Sequence, residues 1–305
     1  MENRGYLELN RIESAPEKLE ATIAYVAENL QRFLRKRESV LICFPKGERN
    51  SIGSIFEEAC LRCDTKPVFW DADMKWKSLL IQSFYSRATT IIGPPLAILS
   101  LSKLAKATNT PLFIRNAVTA GYPCMDWMID GLIRGLDCRT WGCFGAGVGS
   151  VVSGFSCGQS FGVHIREDVY DIDILDKEGN VLPEGEEGVI CIKSKTHSDK
   201  RVLLQDHGCL NRNPCPCGRT SLRLVNIHPM GRFQGDVLNL YQELHSWTSI
   251  LDCKVTKGSY GLELELVVFP GEKLPKLPTC AKLVIRPWDP DTDIPLDYQI
   301  HRQWL

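Results

Sequence analysis

Between Ser39 and Asp137 the chain repeats one pattern four times, a short apolar run followed by an amphipathic stretch of ten or more residues. The runs are "SVLICF", "PVFW", "TTIIG" and "PLFIRNAV". The stretches after them are "SIGSIFEEACLRC", "KWKSLLIQSFYSRA", "PLAILSLSKLAKAT" and "MDWMIDGLIRGLD". Strands separated by helices of that length pair in parallel, through right-handed crossovers. The runs lack polar–apolar alternation, which predicts burial on both faces. A parallel sheet covered by helices is the frame that every other reading has to fit. Upstream, "PEKLEATIAYVAENLQRFLRK" places Leu19, Ile23, Val26, Leu30 and Phe33 at helical spacing, predicting an amphipathic helix over 16–36.

Near residue 140 the texture changes. "TWGCFGAGVGSVVSGFSCGQSFG" is dense in Gly and Ser, and 145–161 reads as a loop with little apolar content of its own. Beyond it, Val169, Ile172 and Ile174, then Val181, then Val189, Ile190 and Ile192 lie in short segments broken by "DKEGN" and "LPEGEEG". Those breaks are turn signals between antiparallel strands. After Gly231-Arg232, "SILDCKVTKGSYGLELELVVF" and "CAKLVIRPW" read as a compact tail. The expected fold class is α/β: a parallel-sheet α/β core, a small β-barrel-like subdomain and a small C-terminal α+β domain. The expected divisions are a helical segment over 1–37, the α/β subdomain over 38–150, the β-rich subdomain over 151–230 and the last domain over 231–305.

Charge narrows the partners. Lys plus Arg number 36 against 37 for Asp plus Glu, a net charge of -1, so nothing electrostatic favours nucleic acid or an anionic membrane. The apolar runs are too short and interrupted to span a bilayer, and "MENRGYLELNRIE" lacks the apolar stretch of a signal peptide, so the expected location is the cytoplasm. Thirteen scattered cysteines do not form the framework of a small secreted scaffold, and most are expected to be buried free thiols. Cys60 and Cys63 have C-x-x-C spacing within a predicted helix, where core thiols are the simpler reading than a redox pair. "CFPKGERNSIGS" echoes a phosphate loop but lacks its GK[ST] ending. Cys215 and Cys217, in "NPCPCGRTSLRL", are spaced more tightly than in common zinc modules; half of a metal site, a redox pair and an ordinary turn all stay open from these residues alone.

Several spaced segments in one order carry a resemblance. "FGVHIREDVYDIDILDKEGNVLPEGEEGVICI", "NPCPCGRTSLRL" and "MGRFQGD" resemble the "GLHIxED…DPEGNxLPxGExGELV", "PCPCGRTxxRL" and Gly-Arg segments of the phenylacetate–CoA ligase-like branch of the adenylate-forming enzymes. "IIGPPLAILSLSKLA" and "AVTAGYP" are similar to that branch's "GxPxxLxxLA" and "xxGAEP" segments, extending the likeness over roughly residues 38–305. The resemblance implies ATP-dependent activation of a carboxylic acid and passage of the acyl group to coenzyme A or another thiol. It also implies ATP and Mg2+ as cofactors, a phosphate loop ending in Lys, a metal-binding Glu in "YGxTE", a ribose-binding Asp in "TGD" and a late Lys.

The chain departs from this pattern at each of those places. No phosphate loop of the expected type precedes residue 140, and the chain is shorter than its relatives by about the segment that carries it. The "YGxTE" position falls on Trp141, Gly142, Cys143, Phe144 and Gly145, and a glycine cannot ligate magnesium. "LQDHGCL" puts Cys209 at the ribose-binding Asp, and "DIPLDYQIHRQWL" contains no Lys; Arg232 keeps its place in the Gly-Arg pair. Losing one preorganised electrostatic contact costs about 10²–10³-fold in rate, so four losses argue against adenylation and against bound ATP and Mg2+.

Within the resemblance, Cys157 and His164 join Cys215 and Cys217, because some members of the branch hold a structural zinc at these places. Cys₃His is a closed tetrahedral set suited to Zn2+. His207 and Cys209, two apart on a strand, share a face and form a candidate base–nucleophile pair, against simple divergence of an idle site. Trp70, Trp76, Trp127 and Trp141 are candidates for a former acyl pocket or for ordinary core. Three functions follow: a catalytically degenerate homologue acting as a partner subunit or an acyl- or aryl-binding protein; a ligase completed by another polypeptide carrying the missing segment; and ATP-independent acyl transfer through Cys209.

Overall fold

The computed structural model describes residues 13–70, 75–146, 151–159, 162–196, 201–229, 236–271, 273–294 and 296. Strands β1 (Ser39–Ile42), β2 (Lys66–Phe69), β3 (Thr90–Gly93), β4 (Asn116–Thr119) and β5 (Arg139–Ala146) run parallel in the order β2-β1-β3-β4-β5. Helices α2 (Ile52–Arg62), α3 (Trp76–Tyr85), α4 (Pro95–Ala107) and α5 (Asp126–Leu136) connect them. The doubly covered sheet is visible in the side chains of β1. Val40 and Ile42 enter one apolar cluster and Leu41 and Cys43 the opposite one, as the two-residue period of a strand requires.

The first cluster is closed by α1 (Pro16–Leu30), whose Leu19, Ile23, Val26 and Leu30 pack with Ile55 and Phe56 of α2. The helix ends at Leu30, short of the expected 36, and Phe33 leaves the helical path to lie against Trp141. The fourth strand is also shorter than expected. Residues 111–115 are irregular because the amides of Arg115 and Asn116 both donate to the Thr89 carbonyl, and pairing starts at Asn116. Helix α4 is buried nearly all round, including Ser100 and Ser102, which fits an apolar helix with neighbours on every side.

At β5 the sheet changes character without breaking. Strands β6 (Val151–Phe155), β7 (Val163–Ile165), β11 (Arg223–Pro229), β10 (Arg201–Asn211), β9 (Gly188–Ser194) and β8 (Tyr170–Leu175) continue it in that order, all antiparallel, to eleven strands. The expected loop over 145–161 is therefore corrected, because every residue of β6 is buried. Its Gly and Ser are small because the strands crowd there: a Cβ on Gly154 would stand 2.9 Å from the His164 carbonyl oxygen. Glu13 and Arg166 bind α1 to this half. Glu13 accepts from Tyr170 Oη, and Arg166 donates to Thr22 Oγ1 and lies over the Tyr25 ring.

A second sheet, β12 (Ile250–Gly258), β13 (Gly261–Val268) and β14 (Lys282–Pro287), follows helix α6 (Asp236–Ser246). It docks against α4, where Ser100 Oγ donates to the Leu251 carbonyl at 2.7 Å and Lys103 Nζ to that of Ile250 at 2.8 Å. The α/β class with a separate small sheet is as expected. Among the described residues no helix is long and apolar enough to cross a membrane.

Candidate metal centre

Strand order brings the predicted metal ligands together. Cys157 follows β6 by two residues, His164 sits on β7, and Cys215 and Cys217 lie in the turn joining β10 to β11. Strand β7 pairs with both neighbours through His164, opposite Phe155 on one side and Arg223 on the other. The end of β6 and the turn before β11 thus close over the imidazole. Cys157 Sγ lies 3.5 Å from Cys215 Sγ, and Cys217 Sγ lies 3.4 Å from His164 Nε2. All four ligand atoms lie within 4.8 Å of one another. A tetrahedral zinc with Zn–S near 2.3 Å sets its sulfurs about 3.8 Å apart, so the spacing fits a metal of that size.

The surroundings fit as well. His164 Nδ1 is 2.8 Å from Ser221 Oγ, which orients the ring so that Nε2 faces the thiols. Burial lowers the affinity of His164 for a proton, and Arg219 and Arg223 lower it further, favouring the neutral ring a metal needs. The Cys217 thiol is raised first by burial and then by its neighbours Cys215 and Cys157. Crowded thiolates repel one another, and a divalent cation relieves that repulsion. Gln159 N–H donates to Cys157 Sγ at 3.4 Å, and Gly218 N–H closes the thiol-bearing turn on the Cys215 carbonyl with φ +82°. Cys157, His164 and Cys215 are buried. Four protein ligands leave no position for water or substrate. The cluster can hold a metal.

The positions matched to "YGxTE" lie on β5, next to this cluster. The Trp141 ring stacks on Phe33 at 4.2 Å, and the Arg32 guanidinium lies 5.7 Å over it. Arg32 also donates to the carbonyls of Ser156 and Cys157, linking the end of α1 to the Cys/His cluster. Trp141 Nε1 donates to Asn116 Oδ1 at 3.3 Å, and Gly142 N–H to Ser156 Oγ at 2.7 Å. Burial pushes the Cys143 thiol up to about 12, and Phe144 is buried. At Gly145 a Cβ would stand 1.9 Å from the Val151 carbonyl oxygen, so the backbone of β6 occupies the space a carboxylate-bearing side chain would need. Arg232 and most of 295–305 lie outside the described residues.

Other predicted sites dissolve into packing. Trp70 and Trp76 pair at 5.9 Å in one core, Trp127 lies beside His245 near α6, and Trp141 belongs to the opposite face, so the four do not line one pocket. In the phosphate-loop echo, Ser51 caps α2 by accepting from Ser54 N–H, and Lys46 pairs with Glu57 at 2.7 Å. Cys60 and Cys63 face the core. The Cys209 thiol is raised by burial and accepts from Asn226 Nδ2 at 3.6 Å.

A bulge in β11 sets the cross-strand partners of His207 and Cys209. Cys209 pairs with Val225 while His207 pairs with His228, leaving Asn226 and Ile227 opposite the single Gly208. The ring of His207 meets that of His228 at 5.5 Å, and Glu187 reaches His228 at 2.7 Å. Sequence reading missed this second grouping and the contact of Ser221 with His164. Periodicity could not find His228, because the bulge breaks the two-residue rule.

No protein-family profile matches the chain, and comparison with curated proteins found no relative. Among solved structures the fold is similar to a 2-hydroxyisobutyryl-CoA ligase in the postadenylation state, at 14% identity and a TM-score of 0.68, covering 83% of this chain and 59% of that one. It is also similar to a benzoate CoA ligase from Burkholderia xenovorans (14% identity, TM-score 0.57, 92% and 65% covered). An anthranilate CoA ligase matches at 11% identity and a TM-score of 0.58, with 92% and 63% covered. The chain spans about three fifths of the length of the ligases it matches first. The fold is that of adenylate-forming CoA ligases.

Proposed function

We propose that the chain is a catalytically degenerate member of the adenylate-forming fold, of the phenylacetate–CoA ligase-like kind, that works by binding. Its partner is either a protein, such as a complete ligase subunit, or an acyl or aryl molecule. One observation carries this reading. The position expected to hold the metal-binding carboxylate is Gly145, and the Val151 carbonyl stands 1.9 Å from where its Cβ would be. The neighbouring aromatic position is covered by Phe33 and Arg32. Cys209, at the ribose-binding position, carries a thiol that burial keeps protonated. A carboxylate is lost, and the space it needed is filled.

The proposal includes a structural Zn2+ on Cys157, His164, Cys215 and Cys217. The metal would hold thiolates and an imidazole in a closed tetrahedron, pinning the end of β6 to the β10–β11 turn. The residues around it would do the remaining work: Ser221 orients His164, and Arg32, Arg219 and Arg223 offset the negative charge of three thiolates.

ATP–pyrophosphate exchange by chain 1–305 tests the first part. Exchange above background with any aryl or fatty acid overturns it. Co-purification from the native host then separates the binding modes. A captured ligase supports a partner subunit. A captured polypeptide that restores exchange supports the alternative, a ligase completed in trans.

A further inference from the structure

Outside the Cys/His cluster, three ligand-type side chains converge on three adjacent strands. Glu187 immediately precedes β9, His207 is on β10 and His228 on β11, and their ligand atoms lie within 4.8 Å of one another. Nothing in the resemblance to CoA ligases assigns them.

Sheet geometry makes the convergence specific. His207 pairs with Val189 on one side, so Glu187, two residues from Val189, lies diagonally across on the same face. On the other side His207 pairs with His228 only because of the bulge. With unbroken register from Cys209–Val225, the partner of His207 would be Ile227 and His228 would turn to the opposite face. Asn226 absorbs the extra residue with φ +53°, the left-handed conformation a bulge of this kind uses.

The backbone beneath the three side chains is also fixed. Beside Glu187, a Cβ on Gly188 would meet the Leu175 carbonyl oxygen at 2.3 Å. Beside His207, one on Gly208 would meet the Val225 carbonyl oxygen at 3.1 Å. The main chain of β8 and β11 therefore approaches closely at both points and holds the ligand-bearing positions in place.

The donor set is two imidazoles and a carboxylate. His228 Nε2 and Glu187 Oε1 are already 2.7 Å apart, and the histidine rings stand edge to face at 72° with centroids 5.5 Å apart. A divalent ion with bonds near 2.0–2.1 Å needs its ligand atoms about 3.3 Å apart, which side-chain rotation from these positions supplies. Glu187 is half exposed and His228 about a third exposed, so an ion can enter from solvent. Three protein ligands differ from the closed Cys₃His set in leaving a coordination position open.

We propose that Glu187, His207 and His228 form a second divalent-metal site of the Zn2+ type, with at least one position left to water or an external ligand. The site is independent of the Cys/His cluster and of the catalytic status of the fold. The test is Zn2+ uptake by the full chain, measured by competition with a chromophoric chelator. The His207→Ala/His228→Ala double variant takes up one equivalent fewer than the wild type, whether or not the Cys/His cluster is filled. Glu187→Gln binds that equivalent at least about tenfold more weakly. Co2+ gives a second readout: the His/Glu site adds visible d–d bands without a thiolate charge-transfer band, and the double variant removes them. Circular dichroism checks the fold, and the corresponding Gln pair replaces the Ala pair if the latter is disturbed. Equal uptake by wild type and a folded double variant overturns the proposal.

Discussion

The rings of Phe33 and Trp141 lie 4.2 Å apart with planes inclined by 17°, and Arg32 covers the same indole at 5.7 Å. Phe33 comes from the turn after α1 and Trp141 from β5, so this stack holds the first helix against the strand where the sheet changes from parallel to antiparallel. Phe33→Ala removes the stack and uncovers Trp141. Phe33 is only partly buried, so the expected loss is about 1–3 kcal/mol rather than that of a full core truncation. A urea unfolding curve checks it; an unchanged midpoint would show that the stack contributes nothing.

Gly145 sets a second expectation. Gly145→Ala forces a Cβ toward the Val151 carbonyl, a backbone atom that cannot rotate away, and the strain should cost about 1–3 kcal/mol or more. Gly145→Glu should destabilise further and gain no pyrophosphate exchange. A Glu variant as stable as the wild type would mean that β6 yields readily at this point.

Protein purified without chelator is expected to carry a tightly held zinc that His164→Ala or Cys215→Ser releases. Metal affinity should fall as pH falls, because protons compete for three thiolates and an imidazole. Elemental analysis at neutral and at acidic pH reads both effects. A metal-free protein at neutral pH, with Tm unaffected by chelator, rules the brace out.

His245 gives the pH dependence its sign. It is buried against the rings of Trp127 and Tyr241, with no hydrogen-bond partner for either ring nitrogen among the described residues, and lies near Lys103, which burial lowers to about 8. Burial, and secondarily Lys103, hold His245 well below its ordinary value of 6.5. The unfolded chain therefore takes up a proton at His245 below about pH 6.5 while the folded chain does not, and stability falls with pH there. His245→Phe should flatten the fall in Tm between pH 7.5 and 5; an unchanged slope would place its origin elsewhere.

Much of this molecule is a local matter. The alternation of apolar runs and amphipathic stretches from Ser39 to Asp137 dictates a parallel sheet, because strand burial and helix length are short-range consequences of residue order. The grouping of Cys157, His164, Cys215 and Cys217 was legible too, through their place in spaced segments rather than through geometry. Tertiary structure decided the rest. Within the run at 145–161 that composition reads as a loop, residues 151–155 became a buried strand, with Gly154 letting the neighbouring backbone close in. His207 met His228 because one extra residue at Asn226 shifted a ladder. Register is a relation between strands and is written in neither strand alone. Gly145 stands where the resemblance expects a carboxylate; only the fold places the Val151 carbonyl oxygen 1.9 Å from where its Cβ would be.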